Sequence, residues 1–190
     1  MRVIGGTARG RALATFPGRE IRPTPDRVRE ALFSILFSKR VPLAGCMVLD
    51  LFAGSGALGI EALSRGAAQA CFVEQSRQAV ATIRDNLQRC GMDARARVLQ
   101  ADVWQTLPLL RGDASYVLIF ADPPYGHDLA PRLLQEVGRY GLLAADGLLC
   151  LETAPTDAVP DCCPPLQLLE SRRYGTSMLH FYRSCAEELA

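Results

Sequence analysis

Apolar positions along the chain follow two alternating rhythms. Short apolar runs of strand length occupy residues 46–51, 70–74, 97–100, 116–121 and 147–152. Between them the apolar positions spread to a helical period, as in 76–90, where Val80, Ile83 and Leu87 recur at three and four residues. Gly66, Gly91 and Gly141 stand where the caps that end such helices are expected. The runs are too continuous for a sheet wetted on one face. The pattern therefore predicts an α/β fold with a mostly parallel sheet and helices on both faces.

The two ends of the chain differ from this middle. Residues 166–170 and 178–182 are apolar stretches separated by a Tyr174-Gly175 turn, which predicts an antiparallel C-terminal hairpin on the sheet edge. At the other end, short apolar stretches flank Gly5-Gly6 and predict a small β-hairpin. Thr24 and Pro25 then read as the cap and first residue of a helix. In it Val28, Ala31, Leu32, Ile35 and Leu36 form one stripe, and Pro42 marks the limit. That stripe is expected to dock on the main domain, with Arg27 and Arg29 toward the other side. The expected organisation is an N-terminal hairpin and helix over 1–40 and a main domain over 41–190.

Composition narrows the class. A chain of 190 residues that is 49% apolar and 22% charged has material for one sizeable core, which excludes a large two-domain enzyme. Seven cysteines without a Cys-x-x-Cys pair argue against a zinc ribbon or a disulfide framework, and no metal site is expected. No apolar run reaches the roughly 18 residues of a membrane span. A reduced, cytoplasmic monomer with no membrane partner is the expectation.

The formal net charge of +1 on its face disfavours a nucleic-acid partner, but it is a cancellation. Residues 1–40 carry nine basic and three acidic side chains, net +6, and the remainder is net −5. All but one of the basic residues are arginine, Lys39 being the exception, so the N-terminus presents planar forks suited to phosphate.

The segment from Val48 to Gly59 follows a predicted strand and opens a helix, and Gly54, Gly56 and Gly59 satisfy a dinucleotide-type glycine fingerprint with Glu74 twenty residues on. Asp50 tilts this loop away from a pyrophosphate, which a carboxylate repels, and toward S-adenosylmethionine, whose amino group and sulfonium it attracts. Asp50, Phe52, Ala53, Gly54, Ser55 and Gly56 are then cofactor-binding candidates, with Glu74 accepting from the ribose hydroxyls. Asp102 and the neighbouring Val103 follow the third strand, where the adenine would be read. Taken singly each acid also fits a helix cap or a turn; three at successive strand ends make one pocket.

Asp122-Pro123-Pro124-Tyr125 ends the fourth strand. Two prolines remove two N–H donors, so the loop offers acceptors: the Asp122 carboxylate and the Pro123 carbonyl. An exocyclic amine has two hydrogens to match them, and Tyr125 can stack on the base. The plainer alternative is an ordinary Pro-Pro turn.

The glycine loop together with Asp122-Pro-Pro-Tyr resembles class I S-adenosylmethionine-dependent amino-methyltransferases, which act on adenine N6, cytosine N4, guanine N2 or a protein glutamine. Three further stretches, from Arg2 to Arg11, Arg22 to Leu36 and Leu49 to Ala67, are similar to the bacterial RsmD family. That resemblance implies a Rossmann-like methyltransferase fold and methylation of N2 on the guanine conventionally numbered 966 in 16S ribosomal RNA, within an assembled or partly assembled 30S particle. It also implies that the N-terminal hairpin and helix bind RNA, which the charge split suggests independently; Arg9, Arg11, Arg22, Arg27 and Arg29 are the candidates for phosphate contacts. Residues 154–170, with adjacent Cys162 and Cys163, match no pattern.

Overall fold

The computed structural model describes residues 1–15, 26–112, 115–124 and 129–185. Within them thirteen regular elements follow one another as α1 (Asp26–Ser38), β1 (Met47–Leu51), α2 (Ala57–Ser64), β2 (Gln69–Glu74), α3 (Arg77–Cys90), β3 (Ala96–Gln100), α4 (Val103–Thr106), β4 (Tyr116–Ala121), α5 (Leu129–Arg139), β5 (Leu143–Thr153), β6 (Cys162–Cys163), β7 (Leu166–Tyr174) and β8 (Ser177–Ser184). The strands form one sheet in the order β3-β2-β1-β4-β5-β8-β7-β6. The first five are parallel, and β8, β7 and β6 run antiparallel to their neighbours.

Both faces of the sheet are covered around β1, β2 and β4, which is why these strands are buried without alternation. Val48, Phe72, Leu118, Phe120, Cys150 and Phe181 pack under α1, α2 and α3, in one cluster that also takes in Val3, Ala8 and Leu13 of the N-terminal segment. Leu49, Leu51, Val73, Ile119, Leu149 and Tyr182 point the other way, against α4 and α5. Helix ends follow local chemistry. The Ser76 side chain accepts from Ala79 N at the start of α3, and Gly91 closes it in the left-handed region at φ 65°.

The parallel α/β architecture and the C-terminal hairpin stand as expected from the sequence. The hairpin strands are longer than the apolar stretches suggested, and a two-residue strand, β6, extends the antiparallel edge beyond them. The N-terminal segment is tied by a single antiparallel bridge, Arg2 to Ala12, with Val3 N donating to Arg11 O and Gly10 N to Val3 O. Its turn spans more residues than Gly5-Gly6 alone.

Candidate active site

The order of the parallel strands reverses between β1 and β4, and the carboxyl ends there open the crevice where α/β sheets place ligands. Leu51, Ala121 and Leu151 are register partners across β1, β4 and β5, so Asp122 and Glu152 emerge side by side just beyond them. Glu74 ends the adjacent strand β2.

The glycine loop crosses the end of β1. Phe52 takes φ 55° and Gly54 the same value, so the chain turns sharply through the left-handed region as it leaves the strand. A Cβ on Gly59 would lie 2.3 Å from Phe72 Cε1 and 3.1 Å from Asp50 Oδ2, which leaves room for hydrogen alone. The loop is held from two sides. Gly54 N donates to Glu74 Oε2 at 2.9 Å, and Ser76 N to Glu74 Oε1 at 2.8 Å. Gly59 N donates to Asp50 Oδ2 at 2.9 Å, which fixes the first turn of α2 on the strand end.

Asp50 is buried beneath the loop and anchors it, a role the sequence alone did not show. Burial pushes its carboxyl up to about 8; the Gly59 amide opposes the rise and the Glu74 carboxylate adds to it. Asp122 is partly buried, and its carboxyl is held well above the usual range by burial first and then by Glu152 and Asp50. Four carboxyl groups thus converge, and burial together with the neighbouring carboxylates raises the carboxyls of Asp50 and Asp122 above the usual range. A cationic ligand relieves that repulsion, so the donor set fits S-adenosylmethionine.

Asp102 caps α4, its Oδ1 accepting from Gln105 N at 3.2 Å, and Val103 is buried behind it. Phe52 meets Trp104 edge-on at 6.0 Å, and the Arg132 guanidinium lies 4.0 Å over the Trp104 ring, giving this side of the crevice an aromatic wall. Ala53 N donates to Val73 O, and Gly56 N to Ala53 O, so the loop backbone is internally paired around Ser55. Pro123 is buried and Pro124 exposed at the lip; Tyr125 lies outside the described residues.

The candidates for RNA contact divide. Arg9 and Arg27 are exposed, and Arg11 is exposed with its Nη1 donating to Arg89 O. Arg22 falls outside the described residues. Arg29 is a correction to the sequence reading: it is fully buried, with Nη2 donating to Arg2 O and Asp26 Oδ1, both at 2.6 Å. The reason is the width of the apolar face of α1. Phe33 is buried too and packs on Phe120, so the stripe includes 29 and 33 as well as 28, 32, 35 and 36.

Sequence reasoning missed Glu152, although an acid closing an apolar run at a strand end was a visible signal. It also missed Glu61 and Asn86, both fully buried polar residues on helices, whose partners in the N-terminal segment are 56 to 72 residues distant and so leave no local trace.

This sheet order, with its glycine loop at the β1 end and an acidic crevice at the switch point, is the class I Rossmann-like methyltransferase fold. A solved structure of a hypothetical protein of Thermus thermophilus superposes with a TM-score of 0.82 at 37% identity, covering 96% of this chain and 99% of that one. The chain belongs to the RsmD family, whose model, described as conserved hypothetical protein 95, matches residues 1–183. Ribosomal RNA small subunit methyltransferase D of Escherichia coli is 37% identical over 160 residues, 84% of this chain and 78% of that protein. The protein of the same name from Haemophilus influenzae is 34% identical over 155 residues, 80% of this chain and 78% of its own length.

Proposed function

We propose that this protein methylates the exocyclic N2 of one guanine in 16S ribosomal RNA, the 966-type position, using S-adenosylmethionine and acting on an assembled or partly assembled 30S particle. The observation that carries the reading is the meeting of the glycine loop, Glu74 and Asp122-Pro123 at neighbouring strand ends, in a chain whose Escherichia coli relative is named as a small-subunit RNA methyltransferase.

S-adenosylmethionine supplies a sulfonium methyl group, and transfer breaks the S–CH3 bond with its electron pair left on sulfur. The residues of this chain do the rest. Glu74, oriented by two backbone amides, accepts from the ribose hydroxyls with its remaining lone pairs. The glycine loop allows close backbone approach, and Asp102 with the amide of Val103 meets the adenine.

The Asp122 carboxylate and the Pro123 carbonyl accept the two N2 hydrogens and turn the nitrogen lone pair toward the methyl carbon. As the N–C bond forms, N2 releases a proton, and Asp122, whose carboxyl is raised well above the usual range, is placed to take it. Tyr125 stacks on the extruded guanine. A base in a single-stranded loop costs least to extrude. The basic residues of 1–40, with Arg9, Arg11, Arg22 and Arg27 as candidates, hold the RNA backbone.

The test is a radiolabelled methyl-transfer assay comparing naked 16S RNA, immature particles and mature particles from a strain lacking the enzyme. Label is expected at N2 of a single guanine. Asp122→Ala is expected to lower turnover by about 10²–10⁴-fold while S-adenosylhomocysteine still binds. Transfer to DNA but not RNA, or unchanged turnover in the variant, overturns the proposal.

A further inference from the structure

One fully buried amide joins the N-terminal segment to the glycine loop. Asn86, on the inward face of α3, accepts at Oδ1 from Ala14 N at 2.7 Å. Its Nδ2 donates to Ala14 O at 3.1 Å and to Ser55 O at 2.9 Å. These partners fix which end of the amide is oxygen, because only Oδ1 can receive the Ala14 N–H and only Nδ2 can supply two carbonyls. The other inward positions of α3, Ala79, Val80, Ile83 and Leu87, are apolar, so packing alone does not call for a polar side chain here.

The bonds form a continuous line. Glu74 holds Gly54 N, Ser55 O is held by Asn86, and Asn86 holds both backbone groups of Ala14. A second line runs through α2. Asp50 fixes its Gly59 end, while Glu61 accepts from Ile4 N and Gly5 N at 2.7 and 2.8 Å and Ser64 Oγ accepts from Ala8 N at 2.9 Å. The N-terminal segment therefore rests on the two helices that the cofactor loop rests on.

We infer that Asn86 is a positioning residue that couples the cofactor loop to the N-terminal segment, so that an S-adenosyl ligand and RNA each strengthen binding of the other. This rests on the proposed function for the identity of both ligands. One planar amide serves both segments, so a Ser55 carbonyl held steady by a bound ligand holds the amide, and the amide holds Ala14. Ordering the loop then lowers the entropy cost of ordering the segment, and linkage makes the effect reciprocal.

The experiment is amide hydrogen exchange on the full chain with S-adenosylhomocysteine as probe, followed by RNA titrations with and without it. In the wild-type protein the probe is expected to slow exchange at 53–59 and also, by about fivefold or more, at 1–15, and to tighten RNA binding by a similar factor. Asn86→Asp keeps the acceptor for Ala14 N and, even when protonated, has one donor where two carbonyls need holding, so it cannot tie Ser55 O and Ala14 O together. It is expected to bind the probe and protect 53–59 while protection of 1–15 and the tightening of RNA binding disappear. Ala14→Pro, which removes one N–H and leaves Asn86 on Ser55, is expected to weaken the transmitted protection if the first variant does not fold.

Probe binding that protects 53–59 but leaves 1–15 unchanged in the wild type overturns the inference alone, and so does full transmission in Asn86→Asp. A probe that does not bind overturns the cofactor reading and the inference with it.

Discussion

Asp50 shows how one residue can serve fold and ligand together. Its Oδ2 anchors α2 through Gly59, and that bond survives whether or not Oδ1 carries a proton. With its carboxyl pushed up to about 8, the group binds a proton at neutral pH where an unfolded aspartate does not. Its contribution to stability is complete below the ordinary aspartate range and is lost as pH rises toward about 8. A cationic ligand favours the ionised form, so its binding expels the proton. Affinity for S-adenosylhomocysteine, whose amino group stays cationic, is expected to rise with pH up to about 8 and then level. Calorimetry in buffers of different ionisation heat checks the proton release, and Asp50→Asn is expected to flatten the slope. Gly59→Ala tests the other side of the contact. The added methyl meets the Phe72 ring and costs about 2 kcal/mol, a fall of roughly 4–8 °C in Tm by calorimetry. Both residues stood out in the sequence as loop chemistry. Their mutual contact did not, because they stand nine positions apart, one in a strand and the other in the helix beyond the loop.

Among the elements, the parallel strands and the helices between them were legible because the strands are short apolar runs and α3 and α5 each carry a single apolar stripe. The buried face of α1 is wider than its apolar stripe, because an arginine joins it. Arg29 ties Arg2 O and Asp26 beneath the helix, and that arrangement depends on chain 27 residues away. The tie between α2 and the N-terminal segment was equally silent in the sequence. Glu61, whose carboxylate takes two backbone amides and the Arg65 Nε at 2.7 Å, is expected to be the weak point of that dock. Glu61→Ala leaves buried donors unpaired and is expected to destabilise the protein by about 3 kcal/mol, with accelerated tryptic cleavage near Arg9 and Arg11.

At the scale of the whole molecule, the near-neutral charge divides into parts with different positions. Four carboxyls of the acidic body, those of Asp50, Glu74, Asp122 and Glu152, meet at the crevice, while Arg9, Arg11 and Arg27 face outward from the N-terminal segment and α1. RNA affinity is expected to fall linearly on a log–log plot against salt, and Arg9→Glu with Arg27→Glu to reduce that slope by about 0.7–0.9 for each phosphate left without its arginine. Filter binding across a salt series measures it, and affinity for S-adenosylhomocysteine is expected to stay unchanged. The parallel sheet and its antiparallel C-terminal hairpin could be anticipated; β6 could not, because two cysteines before two prolines carry no periodicity.

The strand β8, last among the described residues, is an interior strand of the sheet, lying between β5 and β7. Leu179 pairs with Glu152, so one wall of the crevice gains its neighbour only when β8 is in place. During synthesis β5 therefore waits as an open, apolar edge, able to pair with any other extended chain. A product terminated before Ser177 is expected to aggregate rather than persist as a half-working enzyme, so that incomplete synthesis yields inclusion bodies and not a soluble competitor for the substrate.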